Sequence, residues 1–252
     1  MNKHSNTIFA IIQARMGSTR LPGKVLMEMD GVPLLEIMLS RVAKSELLDK
    51  VIIVTSTFPE NDPIEEFCQK NGYECFRGSE DDVLSRYYEC AIIYNPNVIV
   101  RLTADCPLID PVIIDKVIDY YFSKNVDYAA NTVPPETSTF PDGSDVEVFS
   151  FKALERAHGE AGDPIDREHV TFPFWKYNHG FSTAQLTQEK DWSNYRITVD
   201  YPEDFEVIGF LINKLKKQNR FGYIPEIIEL LENNPTIKTI NGKYHFGIGW
   251  DK

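Results

Sequence analysis

The sequence predicts an α/β fold with a doubly wound, mostly parallel sheet and a smaller inserted lobe. Short apolar runs at 8–12, 51–54 and 98–102, the last of which includes one charged residue, Arg101, are typical of strands that are buried on both faces. Stretches with apolar residues at helical spacing separate these runs, which gives a β-α-β-α order from residue 7 to about residue 125. Ligands of such sheets bind outside the carboxyl ends of the strands. The residues that follow each run are therefore the candidate site.

Start and stop signals place the individual elements along the chain. Pro33 begins the first helix, and the pairs Asp62-Pro63 and Asp110-Pro111 combine an N-cap residue with proline in the first turn. Gly72 ends the second helix, and Ser79 is expected to begin the third. Further strands are predicted at 73–76, at 145–151 and at 197–200, and further helices at 33–48, 150–160, 166–178, from 202 onward and at 224–232, the last helix of the chain.

The regular rhythm changes between residues 128 and 190. Pro134-Pro135, Pro141 and Gly143 interrupt it, and an alternating strand and short helices follow. We interpret 128–190 as an inserted lobe or lid within one domain that spans residues 1–252.

Composition limits the classes of partner. The chain has 252 residues, of which 42% are hydrophobic, enough to fill the core of one large α/β domain. Its 38 acidic and 26 basic residues give a net charge of -12, which argues against a nucleic-acid or anionic-membrane surface. There is no signal peptide or long apolar span, so we expect a soluble, cytoplasmic protein. The cysteines are expected to be reduced and mostly buried, because no C-x-x-C pair occurs among Cys68, Cys75, Cys90 and Cys106.

A basic loop follows the first predicted strand. Within residues 13–24, Arg15, Arg20 and Lys24 supply three cations in an otherwise acidic chain. Backbone N–H groups of such a turn, arginine forks and a lysine together bind phosphate groups. The loop is not a Walker A motif, because its two glycines are six residues apart and Val25 follows the lysine. The alternative is a surface loop whose basic side chains are solvated.

The loop sequence Gln-Ala-Arg-Met-Gly-Ser-Thr-Arg-Leu-Pro-Gly-Lys resembles the opening motif of the cytidylyltransferases that activate acidic sugars. It is most similar to the SpsF-like branch, named for the spore coat polysaccharide biosynthesis protein SpsF. The related 3-deoxy-manno-octulosonate and acylneuraminate cytidylyltransferases usually have proline in place of Gln13. The resemblance implies a nucleotide-diphospho-sugar transferase (GT-A-like) fold, in which this loop wraps the triphosphate of CTP. The nucleotide-binding residues that it implies here are Ala14, Arg15, Gly17, Ser18, Thr19 and Lys24, with Arg15, Arg20 and Lys24 also catalytic.

Two aspartates follow predicted strands. Asp105 follows Thr103 at the end of the run 98–102, and Asp200 stands two residues before Pro202. Either aspartate alone could be a turn or helix cap. The resemblance implies that both hold Mg²⁺, that Asp105 is catalytic and that Thr103 lies at the nucleotide. Magnesium suits this chemistry because it is usually held by one or two carboxylates together with substrate phosphates.

Other strand ends offer further candidates. Arg77 lies in a segment, 77–87, that borders the nucleotide base in the similar family, and Thr55 could reach the base or ribose. Arg86 is expected on the following helix, as a salt-bridged surface residue. Thr55 could equally be a turn former.

The predicted lobe contains two more motifs that resemble the SpsF-like branch, at 140–149 and 166–171. The acceptor-binding candidates there are Asp145, Glu147, Arg167 and His169. The resemblance also implies that the lobe forms the surface of a homodimer. An alternating strand places polar residues on one face in any case, and His169 could be a satisfied interior histidine.

These observations favour a magnesium-dependent nucleotidyltransferase that moves CMP from CTP to an acidic sugar or related acceptor and releases pyrophosphate. One alternative is a GT-A-like glycosyltransferase in which Asp145-Val146-Glu147 is an acidic metal motif. Such an enzyme does not need a triphosphate loop with three cations after its first strand. The other alternative is an inactive nucleotide-binding module.

Overall fold

The computed structural model describes residues 5–177 and 179–247. Its strands are β1 (Ile8–Gln13), β2 (Glu28–Met29), β3 (Val32–Pro33), β4 (Lys50–Ser56), β5 (Glu74–Gly78), β6 (Val98–Thr103), β7 (Tyr128–Ala130), β8 (Glu147–Ser150) and β9 (Thr183–Gln185). Its helices are α1 (Leu34–Val42), α2 (Asp62–Asn71), α3 (Val83–Tyr94), α4 (Pro111–Lys124), α5 (Phe151–Glu160), α6 (Pro164–His169), α7 (Phe172–Trp175), α8 (Pro202–Lys217), α9 (Ile224–Glu232) and α10 (Pro235–Lys238).

Seven strands form one sheet in the order β5-β4-β1-β6-β8-β7-β9. Strand β1 pairs in parallel with both β4 and β6, and β4 pairs in parallel with β5. Only β8 runs against its neighbours, β6 and β7. The predicted mostly parallel sheet is thus confirmed. Strands β2 and β3 form a separate antiparallel pair.

Helices cover both faces of the sheet. In β1, Ile8, Ala10 and Ile12 pack into one hydrophobic cluster, with α1, α2, α4, α8 and α9. Ile11 points to the opposite cluster, with α3 and α5. This alternation follows from the two-residue period of a strand, and it explains why the run is apolar at every position. The doubly wound arrangement is confirmed.

Segment 128–190 contributes to the same sheet through β7, β8 and β9. The helix predicted at 166–178 is two short helices, α6 and α7, because Val170 takes a φ of 56° between them. The role of this segment as an acceptor-side and dimerisation lobe stays a prediction.

Four features differ from those expected: the start of α3, the end of α1, a missing strand and an additional helix. Helix α3 begins at Val83, because Asp82 and not Ser79 caps it by accepting a 2.8 Å hydrogen bond from the Ser85 N–H. Helix α1 ends at Val42, well before residue 48. Residues 197–200 form no strand; the Ile197 and Val199 amides donate to carbonyls of two different loops. Helix α10 follows the helix that was expected to be the last.

None of the helices in the described ranges has the length and apolar character needed to cross a membrane. All four cysteines are free thiols, and Cys75 alone is not buried.

Candidate active site

A cleft of about 290 Å³ opens at the carboxyl ends of β1 and β6. The basic loop 14–23 forms one wall. Its Met16 carbonyl accepts hydrogen bonds from the amides of Ser18 and Gly23, both 2.9 Å long. Gly23 has a φ of 70°, which a residue with a side chain adopts only under strain, and a single 3₁₀ turn, Lys24–Leu26, follows it. This tight turn directs the Lys24 side chain into the cleft.

Lys24 lies at the centre of the site and is only 7% exposed. Its Nζ donates to Asp105 Oδ2 at 3.0 Å and to Asp200 Oδ1 at 2.8 Å. Burial alone would lower the pKa of this ammonium, but the two carboxylates raise it above its ordinary value. Burial likewise opposes the charge on Asp105, and the Lys24 ammonium holds the pKa of that carboxyl well below its usual range. Lys24 and Asp105 therefore form an ion pair of two charged groups.

Two arginines flank this triad. Arg20 donates to Asp200 Oδ1 at 3.0 Å and to the Tyr201 hydroxyl at 3.3 Å. Arg15 is exposed at the mouth of the cleft, and in the described part of the chain its guanidinium has no hydrogen-bond or ion-pair partner. The loop thus offers one unengaged arginine and two cations that are shared with carboxylates.

The donor set fits a magnesium ion that also binds a substrate phosphate. Asp105 and Asp200 come from separate segments and converge on one cation, the Lys24 ammonium. Residues 5–177 and 179–247 contain no cluster of three or more His, Cys, Asp or Glu side chains suited to a metal ion. Magnesium commonly binds one or two protein carboxylates together with substrate phosphates and several waters.

A second charged network supports the base of the cleft. The Arg196 guanidinium is shared by Asp142, Asp200 and Asp204, and its side chain is 6% exposed. Burial and the nearby carboxylates of Asp145 and Asp200 raise the pKa of Asp142 to about 8, although Arg196 opposes this. One guanidinium does not neutralise three carboxylates, so Asp142 keeps a proton up to about that pH.

The acceptor candidates separate into two groups. Asp145, Glu147 and His169 line the cleft, whereas Arg167 lies away from it. Arg167 donates to the Ser85 hydroxyl at 2.9 Å and to the carboxylate of Asp82, so it joins α6 to the start of α3. Its guanidinium is occupied by these contacts outside the cleft lining, and its predicted role at the acceptor stays a prediction.

Asp145 and Glu147 have different surroundings. Asp145 accepts from the Thr132 hydroxyl at 2.7 Å and from the Gly143 amide at 2.9 Å, and burial raises its pKa to about 6. Glu147 is 5% exposed and is paired with Arg101 and with the Tyr128 hydroxyl. In the Asp145-Val146-Glu147 segment, only Asp145 is without a cationic partner among the described residues, because Glu147 is paired with Arg101.

The structure places Arg77 and Thr55 outside the cleft lining. Arg77 pairs with Asp62 at 2.7 Å and with Glu65 at 2.6 Å on α2. Thr55 is fully buried in β4. Arg86, expected at the surface, is 1% exposed, because its guanidinium donates to the carbonyls of the 79–80 turn. Arg77 and Arg86 thus bind local partners that strand and helix periodicity does not reveal.

Of the nucleotide-binding candidates, Arg15, Ser18, Lys24 and Thr103 line the cleft, together with Arg20, Asp105 and Asp200. Ala14 is buried below the loop, and Gly17 packs against Glu60, where a Cβ would lie 2.6 Å from the carboxylate. Thr19 is exposed and is not part of the lining.

Cleft residues that the sequence did not identify include Gln13, Arg101, Thr132, Asp142, Glu168, Phe172, Trp175, Arg196 and Phe246. Arg101 and Arg196 stand four residues before Asp105 and Asp200, a shared spacing that could have drawn attention to both.

Comparison with known proteins gives a consistent family. The family model described as cytidylyltransferase matches residues 9–228. An uncharacterized protein of Methanocaldococcus jannaschii is 38% identical over 241 residues, which cover 93% of this chain and 94% of that protein. The spore coat polysaccharide biosynthesis protein SpsF of Bacillus subtilis is 35% identical over 241 residues, covering 93% of this chain and 98% of its own.

A solved structure agrees with the sequence comparisons. The structure of a cytidylyltransferase from Leptospira borgpetersenii superposes with a TM-score of 0.84 at 35% identity, covering 92% of this chain and 97% of that one. The GT-A-like arrangement predicted for the sheet is confirmed by this similarity. The chain therefore belongs to the cytidylyltransferase family and is a nucleotidyltransferase.

Proposed function

We propose that the protein transfers CMP from CTP to a sugar-type acceptor, with Mg²⁺ as cofactor and pyrophosphate as the second product. One observation carries the proposal: Lys24 Nζ joins Asp105 and Asp200 beside a loop that also bears Arg15 and Arg20. A polyphosphate needs cations from the protein, and a magnesium ion needs carboxylates. This cleft offers both within hydrogen-bond distance of one another.

The loop residues bind and orient the triphosphate. Arg15 is available to a phosphate without first breaking an ion pair, whereas Arg20 and Lys24 exchange carboxylate partners for phosphate oxygens. Their positive charge is directed at the leaving pyrophosphate, whose negative charge grows as the bond between the α-phosphorus and the bridging oxygen breaks. The Ser18 side chain and backbone amides of the loop offer further donors.

Asp105 and Asp200 would hold the magnesium ion. When bound, Mg²⁺ supplies positive charge at the α-phosphate and at the attacking oxygen. Both aspartates are already paired with cations, Asp105 with Lys24 and Asp200 with Arg20 and Arg196, so their carboxylates are directed at a place where a cation can bind. The protein itself then contributes position and charge, and no covalent nucleophile is required.

We place the acceptor on the side of the cleft formed by Asp145, Glu147 and His169. An acidic sugar or a related compound of surface polysaccharide or glycoconjugate synthesis is our candidate acceptor. The name of the SpsF relative, a spore coat polysaccharide biosynthesis protein, supports this class. A cytoplasmic homodimer with segment 128–190 at its interface stays a prediction, which sedimentation of the purified protein would test.

The test is pyrophosphate release from CTP with a panel of acidic sugars, compared with UTP and ATP. We expect release with CTP and Mg²⁺ that depends on the acceptor. Asp105→Asn should lower turnover by about 100-fold or more and change CTP affinity much less, since its main role is in the reacting state. The exposed Asp81→Asn is the matched control. Sugar transfer from a nucleotide sugar would indicate the glycosyltransferase, and CTP binding without turnover by any acceptor would indicate the inactive module.

A further inference from the structure

The segment that follows α10 returns to the cleft. Phe246 and Gly247 line it, although the match to the family model ends at residue 228. Asn241 is 3% exposed and anchors this return. Its Nδ2 donates to Asp204 Oδ1 at 2.9 Å and to the Arg196 carbonyl at 3.2 Å. Residues 241–247, called the C-terminal return below, are thus tied to the charged network beneath the triphosphate loop.

A second aromatic residue of the C-terminal return, Tyr244, lies behind the cleft lining and packs on Tyr201. Tyr244 stacks on Tyr201 with ring centroids 3.7 Å apart and planes 3° from parallel. Its hydroxyl donates to Glu203 Oε2 at 3.2 Å, and Lys243 Nζ pairs with Glu203 Oε1 at 2.7 Å. Two rings fixed in this way restrict each other's rotamers, so Tyr244 sets the plane of Tyr201.

Tyr201 in turn contacts a triphosphate-loop cation. The Arg20 guanidinium carbon lies 4.9 Å from the centroid of the Tyr201 ring, and Arg20 NH1 donates to the Tyr201 hydroxyl at 3.3 Å. The remaining contact of Arg20 is with Asp200. When Asp200 binds a metal ion or Arg20 binds phosphate, the contact with Tyr201 is the one that still holds the guanidinium in place.

We infer that Tyr244 is a positioning residue of the nucleotide site, which acts through Tyr201 to hold Arg20 toward the triphosphate. The inference rests on the proposed function, since it assigns Arg20 to that ligand. It makes residues 241–247 a functional part of the cleft and not only a cover for the core. The ring of Tyr244, more than its hydroxyl, carries the effect.

The experiment measures dissociation constants for CTP and for inorganic tripolyphosphate by titration calorimetry. Tyr244→Ala should weaken both ligands about fivefold to tenfold, the scale of coupling between side chains in contact. Tyr244→Phe, which keeps the ring, should restore most of the loss. In an Arg20→Ala background, Tyr244→Ala should cause no further weakening, because its effect passes through Arg20.

The matched control is Tyr94→Ala, at the opposite edge of the sheet. Tyr94 is half-buried like Tyr244, its hydroxyl donates to Glu74 at 3.1 Å, and Lys50 pairs with Glu74 and lies over the ring. The same kind of tyrosine, lysine and glutamate contact is therefore removed without touching the cleft. Thermal unfolding of each variant shows whether it is folded. We expect Tyr94→Ala to bind both ligands as the wild type does.

The outcomes separate the inference from the proposed function. An equal loss from Tyr244→Ala in the wild-type and Arg20→Ala backgrounds would overturn the inference, and so would failure of Tyr244→Phe to restore binding. Wild-type protein that binds tripolyphosphate but not CTP would contradict the proposed function. The inference would still be decided by the tripolyphosphate affinities of Tyr244→Ala, Arg20→Ala and the double variant. Binding of neither ligand would overturn both.

Discussion

At the scale of single residues, the charged network of the site has fewer cations than carboxylates, so several carboxylates share one cation. Lys24 is the only charged partner of Asp105 among the described residues, and it shares Asp200 with Arg20 and Arg196. These ion pairs hold the Lys24, Arg20 and Arg196 side chains in place before any ligand arrives. Pre-ordered charge is what makes electrostatic stabilisation effective in a reaction.

Replacing Lys24 by alanine should weaken CTP binding by about 10- to 100-fold, since it removes a charge-assisted contact with the triphosphate and leaves the Asp105 carboxylate without its cationic partner. Titration calorimetry measures the change, with the exposed Lys116→Ala as control. Unchanged affinity in Lys24→Ala would place the triphosphate elsewhere.

The pH dependence of stability tests the second network. Asp142 has a pKa of about 8 in the folded protein and an ordinary value of 3.8. Between these values the folded state keeps a proton that the unfolded chain releases, so stability falls as pH rises through this window. We expect the wild type to lose about 1 kcal/mol or more relative to Asp142→Asn between about pH 5 and pH 9, a Tm change of about 2–4 °C. Parallel melting curves across that range would contradict the raised pKa.

The sequence predicted that the basic loop and Asp105 lie together, because they follow strands whose carboxyl ends meet at one edge of the sheet, and both line the cleft. Asp200 also lines the cleft, although the segment before it is not the strand that was expected. The sequence did not predict which partners the long arginine side chains reach. Arg77 also stands at a strand end, but Asp62 and Glu65 on α2 lie within reach and take its guanidinium. Which partner an arginine reaches depends on contacts between segments that no local pattern encodes.

At the scale of elements, regular helices and strands were predictable and their irregular neighbours were not. Asp110 and Asp82 both cap helices, but Ser79, three residues before Asp82, offers the same type of signal. Residues 197–199 are buried like a strand, with apolar Ile197 and Val199 on either side of Thr198, yet the amides of Ile197 and Val199 bond to loops on two sides. A buried segment can therefore have the sequence pattern of a strand without forming one.

The turn around Gly143 is the irregular element on which the site depends most. Gly143 has a φ of 96°, and a Cβ there would lie 2.3 Å from the Thr198 backbone nitrogen. Gly143→Ala should therefore separate this turn from the segment that carries Arg196 and Asp200, destabilise the protein by about 2–4 kcal/mol and reduce CTP binding. Urea unfolding measures the loss.

Gly159→Ala is the matched control, because Gly159 lies in α5 with no atom near the added methyl group. Alanine in a helix interior should instead stabilise by about 0.5–1 kcal/mol. Equal effects of the two substitutions would show that the contact between the Gly143 turn and Thr198 is unimportant.

At the scale of the whole molecule, a chain of net charge -12 needs a local group of cations to bind an anion, and the basic loop supplies Arg15, Arg20 and Lys24 at one wall of the cleft. A ligand that binds the folded state alone stabilises it by mass action. At a concentration of about 100 Kd the gain is about 2.7 kcal/mol. For a protein of this size, this corresponds to a Tm increase of about 5–10 °C.

We therefore expect CTP with Mg²⁺ to raise the Tm by about this amount and UTP, ATP, GTP and dTTP at the same concentration to raise it less. The same panel with Lys24→Ala should show a much smaller shift with CTP, because the triphosphate contacts supply much of the affinity. Equal shifts with all five nucleotides would mean that the cleft binds the triphosphate without selecting the base. A shift with CTP that survives Lys24→Ala unchanged would separate CTP binding from the basic loop, and with it the role proposed for Arg15, Arg20 and Lys24.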